Sequence, residues 1–175
     1  MGKLNPPVSV KDHQTGNTNA IVTLLEYGDY QCPYCGHAHP LVKRLLKEKG
    51  DDLRFVFRNF PLQDIHPMAM SAALAAEAGA IQGKFWEMHD LIFEHQQELS
   101  NALLLKFAVE LNIDEEKFAN DWQSEMIFSR VESDFETGVR SGVNGTPTFF
   151  VNGQRFNQYD ETYSSLLMAI SIPVL

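Results

Sequence analysis

The only two cysteines of the chain stand in Cys32-Pro33-Tyr34-Cys35, a spacing that lets two thiols close into a small ring. An apolar run, Ile21 to Tyr27, ends shortly before them, and a stretch with helical periodicity follows. If the run is a strand and the stretch a helix, Cys32 falls at the first helical turn. Free backbone N–H groups and the positive end of the macrodipole favour a thiolate there. Cys32 is therefore the expected nucleophile, low in pKa and exposed, and Cys35 its buried partner. Pro33 occupies an early helical position, where its missing N–H costs nothing and its fixed φ suits the helix. The chemistry expected of this pair is thiol–disulfide exchange, which needs no bound cofactor.

Other chemistries fit the same stretch less well. A structural zinc site built from Cys32, Cys35, His37 and His39 would place four ligands within eight residues. A strand-to-helix junction does not readily turn both histidines toward both sulfurs, and no second CxxC completes a site. The two histidines are instead expected on the surface or helix face. A c-type haem site is excluded, because Gly36 follows Cys35 where that site needs histidine.

These residues need elements to hold them. The run Ile21 to Tyr27, bounded by Gly28-Asp29, has the pattern of a central strand buried on both faces, and Glu26 is out of place in it. A solvated charge at a strand end is the plain alternative for Glu26. After the CxxC, Ala38, Leu41, Val42, Leu45 and Leu46 repeat at helical spacing up to Gly50, with Pro40 expected to kink the helix. Leu53 to Arg58 reads as a second strand, and strand, helix, strand argues for a right-handed parallel unit. Helix formers then dominate: Pro67–Ala80, Phe85–Gln96, Leu103–Leu111, Glu115–Trp122 and Glu125–Ser141 are predicted helices. A hairpin follows, Thr148–Val151 and Gln154–Phe156 about an Asn152-Gly153 turn, and a last amphipathic helix carries Tyr163, Leu166, Leu167 and Ile170. The first twenty residues offer only Val8 and Val10 as a hint of strand, in a lead-in expected along one sheet edge. His66 could cap the first of the later helices or line a groove.

Composition narrows the field. Lys plus Arg number 14 against 23 Asp plus Glu, a net charge of -9, and no basic run interleaves with aromatics, so nucleic acid is not an expected partner. The longest apolar-looking stretch, Met68 to Ile81, is half alanine and carries Glu77, so no membrane span is expected. The first residues lack the apolar segment of a secretory signal, and Pro6 stands where a myristoylation motif wants Ser or Thr. The sequence as written reads as cytoplasmic; an exported protein stripped of its leader would read the same way.

Two blocks carry a family resemblance. Glu26-Tyr27-Gly28-Asp29-Tyr30-Gln31-Cys32-Pro33-Tyr34-Cys35, together with Gly145-Thr146-Pro147-Thr148-Phe149-Phe150-Val151-Asn152-Gly153, resembles the DsbA-like branch of the thioredoxin superfamily. Arg58-Asn59-Phe60-Pro61-Leu62, His66-Pro67 and Phe85-Trp86-Glu87-Met88-His89-Asp90 extend the resemblance over most of the chain. It implies an α/β thioredoxin fold with a helical insertion: residues 1–62 and 142–175 as the two parts of the fold, 63–141 as the insert. It implies Glu26 as a buried acid serving Cys35. Pro147 would be a cis-proline facing the disulfide, and Pro33, Tyr34 and Thr146 would contact substrate. An ordinary loop proline is the plainer alternative for Pro147. The implied activity is a DsbA-like protein disulfide oxidoreductase acting on protein or small thiols, glutathione included, with a redox partner for recycling. The Pro-Tyr dipeptide lacks the histidine of the strongest oxidants and matches many glutaredoxins, which leaves the redox poise open. A glutaredoxin-like, glutathione-dependent reductase and a CxxC metal-delivery module are the two rivals.

Overall fold

The computed structural model describes residues 2–171. Met1 of the lead-in and 172–175 at the end of the final segment lie outside the described residues.

Seven strand residues, Val22–Gly28 (β2), form the centre of a five-stranded sheet. β2 pairs in parallel with β3 (Leu53–Asn59), and the helix α1 (Pro33–Lys49) makes the crossover between them. On the other side β2 pairs antiparallel with β4 (Thr148–Val151), which turns through Asn152 and Gly153, both at positive φ, into β5 (Gln154–Phe156). The remaining strand is β1 (His13–Gly16), antiparallel on the outer edge of β3, so the spatial order is β1-β3-β2-β4-β5.

Side chains alternate across the sheet, and this assigns each β2 residue a face. Leu24 faces the larger core, with α1, Phe55 and Phe57 of β3 and Phe149 of β4; Leu25 and Tyr27 face a smaller core with Val56, Phe60 and Phe150. Glu26 therefore lies on the α1 side. Its register partners are Phe57 on β3 and Phe149 on β4.

Between β3 and β4 stand α2 (Ala69–Ile81), α3 (Phe85–Glu94), a 3-10 turn (Gln96–Glu98), α4 (Asn101–Glu110), α5 (Glu115–Trp122) and α6 (Glu125–Arg140). Ser100, Asp114 and Ser124 start α4, α5 and α6 by accepting the backbone N–H of Leu103, Lys117 and Ile127 at 3.2, 2.8 and 3.3 Å. The alanines of α2 let neighbouring helices approach closely, and nearly all of them are buried. The last helix, α7 (Tyr163–Ser171), packs against α1 and β2.

The lead-in corrects the sequence reading. Val8 and Val10 form no strand, and Val10 is 97 % exposed. Pro6 and Pro7 cannot donate to a ladder, and the edge strand is instead the polar His13-Gln14-Thr15-Gly16. The segment also touches both sheet edges: Lys3 bridges Gln154 beside β5, and β1 covers β3. Arg58 fastens the crossing, donating to Asp12 at 2.7 Å, to Tyr27 Oη at 2.9 Å and to the carbonyls of Pro6 and Pro7. Two smaller differences are that Ile21 lies outside β2 and that α1 runs through Pro40 without a break.

Gly28 closes β2 because nothing larger fits. A Cβ there would lie 2.8 Å from Phe57 Cζ and 3.1 Å from Glu26 Oε1. Gly28→Ala is therefore expected to destabilise the protein by about 1–3 kcal/mol, the usual penalty of overpacking. Denaturant titration yielding an unchanged midpoint would count against this packing.

Candidate active site

Cys32 is the N-cap of α1, in extended backbone conformation, with Pro33 as the first helical residue. Its sulfur lies 3.3 Å from the Thr146 carbonyl oxygen, to which the thiol donates, across 114 residues of sequence. The peptide bond from Thr146 to Pro147 is cis. Cys35, one turn into α1, is fully buried, and the Asp29 backbone N–H donates to its sulfur at 3.4 Å. Both thiols are free. Contrary to the sequence expectation, Cys32 is also covered, at 3 % exposed. What separates the two sulfurs is ionisation rather than exposure.

Hydrogen bonding by the Cys35 thiol, opposed by burial and aided by the Thr146 side chain and the backbone N–H groups of Cys35 and Tyr34, lowers the Cys32 pKa to about 5. Burial pushes Cys35 the other way, well above an ordinary thiol, and its bond to Cys32 and the nearby Glu26 carboxylate add to the rise. Glu26 is 3 % exposed between phenylalanines, and its Oε1 has no hydrogen-bond partner among the described residues. Burial, then the charge of Cys32, raises its pKa to about 8, while the Cys35 thiol pulls the other way. A thiol with a lowered pKa, a second with a raised one and a carboxyl whose pKa is raised to about 8 are thus gathered at one end of β2. Tyr34 is 54 % exposed beside them, Pro33 is exposed, and Thr146 and Pro147 are half-buried.

The zinc set considered from sequence is not assembled. His37 bonds through Nε2 to the Glu161 carbonyl at 2.8 Å, and His39 turns into the α1–α3 interface toward Asp90. His66 neither caps α2 nor stands alone; its Nδ1 pairs with Asp29 Oδ2 at 2.8 Å.

Three residues around the cysteines escaped the sequence reading. Asp29 is buried and accepts the N–H groups of Gln31 at 2.7 Å and Leu62 at 2.9 Å, which fixes the turn leading into Cys32. The Asx-turn habit of Asp after Gly was the available signal. Gln96 donates its amide to the carbonyls of Tyr30 at 2.9 Å and Cys32 at 2.8 Å. Gly36 leaves the room this amide needs, since a Cβ there would run into it. Nothing in the local sequence announces Gln96. Tyr159, packed on Phe149, has a buried hydroxyl without a partner among the described residues and a pKa raised by burial and then by Glu26.

Residues 8–171 match the family described as Thioredoxin. The chain belongs to the thioredoxin family. Among solved structures, this thioredoxin-family chain resembles BdbD from Bacillus subtilis in its oxidised form (TM-score 0.82, 26 % identity, 97 % of each chain covered). It also resembles a thioredoxin-like oxidoreductase from Silicibacter pomeroyi (TM-score 0.79, 27 % identity, 93 % and 91 % covered). The structural neighbours are DsbA-like, and the fold is the α/β thioredoxin fold expected from the sequence. Curated relatives carry another name. A Na(+)/H(+) antiporter NhaA 3 of Salinispora tropica is 48 % identical over 145 residues, 83 % of this chain and 22 % of the relative. An NhaA of Herminiimonas arsenicoxydans is 43 % identical over 169 residues, 95 % and 27 % of the two chains. The chain thus spans about a quarter of the length of these relatives. No helix of the described residues is long and apolar enough to cross a membrane.

Proposed function

We propose that this chain is a thiol–disulfide oxidoreductase that shuttles between a Cys32–Cys35 disulfide and the dithiol, acting on disulfides or thiols of proteins and small molecules. The observation that carries the reading is the contrast between the two sulfurs. Cys32 is held as a thiolate near pH 7 at a helix N-terminus, and Cys35, its intramolecular partner, is held protonated beneath it.

In the reducing direction the Cys32 thiolate attacks one sulfur of a substrate disulfide. A Cys32–substrate bond forms, and the other substrate sulfur leaves as a thiolate. Cys35 then gives up its proton and attacks Cys32, closing the Cys32–Cys35 bond and releasing the second substrate thiolate. The protein is oxidised by two electrons and the substrate reduced by two; the reverse sequence donates the disulfide. Glu26 is the proton acceptor for Cys35. Once Cys32 is bonded to substrate its negative charge is gone, and with it the electrostatic part of the force that keeps Glu26 protonated. The acid ionises more readily at the step that needs a base.

Substrate lies over Tyr34 and against the Thr146-Pro147 segment, whose backbone offers main-chain hydrogen bonds and hence little sequence preference. Residues 63–141 are taken as the helical insertion and 1–62 with 142–175 as the redox fold. No cofactor takes part, and a separate dithiol or disulfide partner recycles the pair.

The deciding experiment follows disulfide formation in a reduced dithiol peptide mixed with the oxidised protein, and the reverse reaction with the reduced protein. Wild type is expected to equilibrate with the peptide while Cys32→Ala remains at the uncatalysed rate. Equal rates for the two proteins would refute the reading.

A further inference from the structure

Away from the cysteines, a cleft of about 190 Å³ opens between α1 and α3, and its floor holds three potential ligands, His39, His89 and Asp90. One ligand atom from each falls within 4.8 Å of the others. His39 is only 8 % exposed, and its buried Nε2 has no hydrogen-bond partner among the described residues; Asp90 Oδ1 is 3.4 Å away. An orphaned imidazole nitrogen in the core is costly unless something fills its lone pair. We propose that His39, His89 and Asp90 form a second, metal-binding site that takes one divalent transition metal, zinc foremost, through this cleft.

The surrounding groups suit that occupant. His89 bonds through Nδ1 to Tyr30 Oη at 2.9 Å, leaving Nε2 as its metal-facing nitrogen. A hydrogen bond behind a ligating imidazole fixes its tautomer and orientation, the usual support of a metal-bound histidine. The Asp90 carboxylate is held from behind too. Lys43 Nζ lies 2.7 Å from Asp90 Oδ2 and 3.1 Å from Glu94 Oε1, so Oδ1 is left for the metal. The Lys43 charge opposes a dication and, with only three protein ligands, sets a moderate affinity. Two imidazoles and one carboxylate match zinc's preferences, and the cleft supplies the fourth position for water. The helices place the ligands: His39 sits one turn beyond Cys35 on α1, and His89 and Asp90 are neighbours on α3.

The test is calorimetric titration of the reduced full chain with Zn2+ alone, repeated on Cys32→Ser/Cys35→Ser. The double variant is expected to bind one equivalent as tightly as wild type and to gain melting temperature with metal. Asp90→Asn, whose side chain is partly exposed, is expected to fold normally and bind at least roughly tenfold more weakly. Tyr30→Phe should lose about 10–100-fold, the usual cost of removing the partner behind a ligand, and Lys43→Met should bind more tightly than wild type. Cobalt substituted in the double variant should show d–d bands of a four-coordinate centre. Binding that disappears with the cysteines would place the metal on the thiols and overturn the proposal. So would undiminished binding by Asp90→Asn, or no binding by the double variant.

Discussion

Cys35→Ser is expected to turn the protein from a catalyst into a trap. With Cys32 ionised at about pH 5 and above, the first attack on a substrate disulfide needs nothing from Cys35 except its hydrogen bond, which serine retains. Fast release does need it, because the neighbouring Cys35 sulfur displaces the substrate from Cys32 within the same molecule. The adduct should therefore outlive the wild-type intermediate by orders of magnitude, decaying on the minutes-to-hours scale of uncatalysed exchange. Non-reducing electrophoresis followed by mass spectrometry would find the substrate on Cys32. If adducts gathered instead on Cys35 in the complementary Cys32→Ser variant, the roles would be reversed. Since both sulfurs are covered, selective labelling of Cys32 by iodoacetamide at neutral pH would report its ionisation and not its exposure.

Glu26→Gln should move stability and turnover in opposite directions. The acid's folded pKa, about 8, lies above the 4.5 of a free glutamate. Its protonated form thus favours the native state fully below about pH 4.5, and that contribution drains away as pH rises toward 8. A tenfold difference in proton affinity between the folded and unfolded states is worth about 1.4 kcal/mol. Glutamine carries no such loss, so at pH 8 the variant should be more stable than wild type by a few kcal/mol, on the order of 5–10 °C in melting temperature. Near pH 4 the difference should vanish. Turnover should fall on the order of a hundredfold at the resolution step, the usual worth of a positioned general base. It should also lose its rise between about pH 6 and 8. A melting difference that does not depend on pH, or a turnover profile like the wild type's, would remove Glu26 from the reaction.

The sequence announced this arrangement unevenly. β2, α1, β3 and the hairpin were legible because local pattern and tertiary context agree there: continuous apolar runs, helical spacing and an Asn-Gly turn. The predicted starts of α5 and α6, Glu115 and Glu125, hold, with local caps at Asp114 and Ser124, whereas α4 begins at Asn101, two residues before the predicted Leu103. Glu26 stood out because a charge within a buried run violates the pattern, and such violations gather at functional sites. β1 was illegible because His13-Gln14-Thr15-Gly16 owes its strand conformation to the exposed edge of β3, not to its own composition. Gln96 and Tyr159 were invisible for a different reason. Their closeness to the cysteines arises only when the α3–α4 connection and the loop after β5 fold back over α1, and no local periodicity encodes that.

The order of strands in the sheet has a consequence for biosynthesis. β2 and α1, with both cysteines, leave the ribosome before β3, and β4 and the Thr146-Pro147 segment follow β3 by about 90 residues. At roughly 5–20 residues per second, the nascent chain carries its thiols for about 5–20 s before the segment that covers Cys32 is made. During that interval neither the hydrogen bonds that tune Cys32 from Thr146 nor the strand that shields Glu26 is available. A chain interrupted before β4 would lack the Thr146 contact on Cys32 and the strand over Glu26, so premature termination leaves the dithiol uncovered.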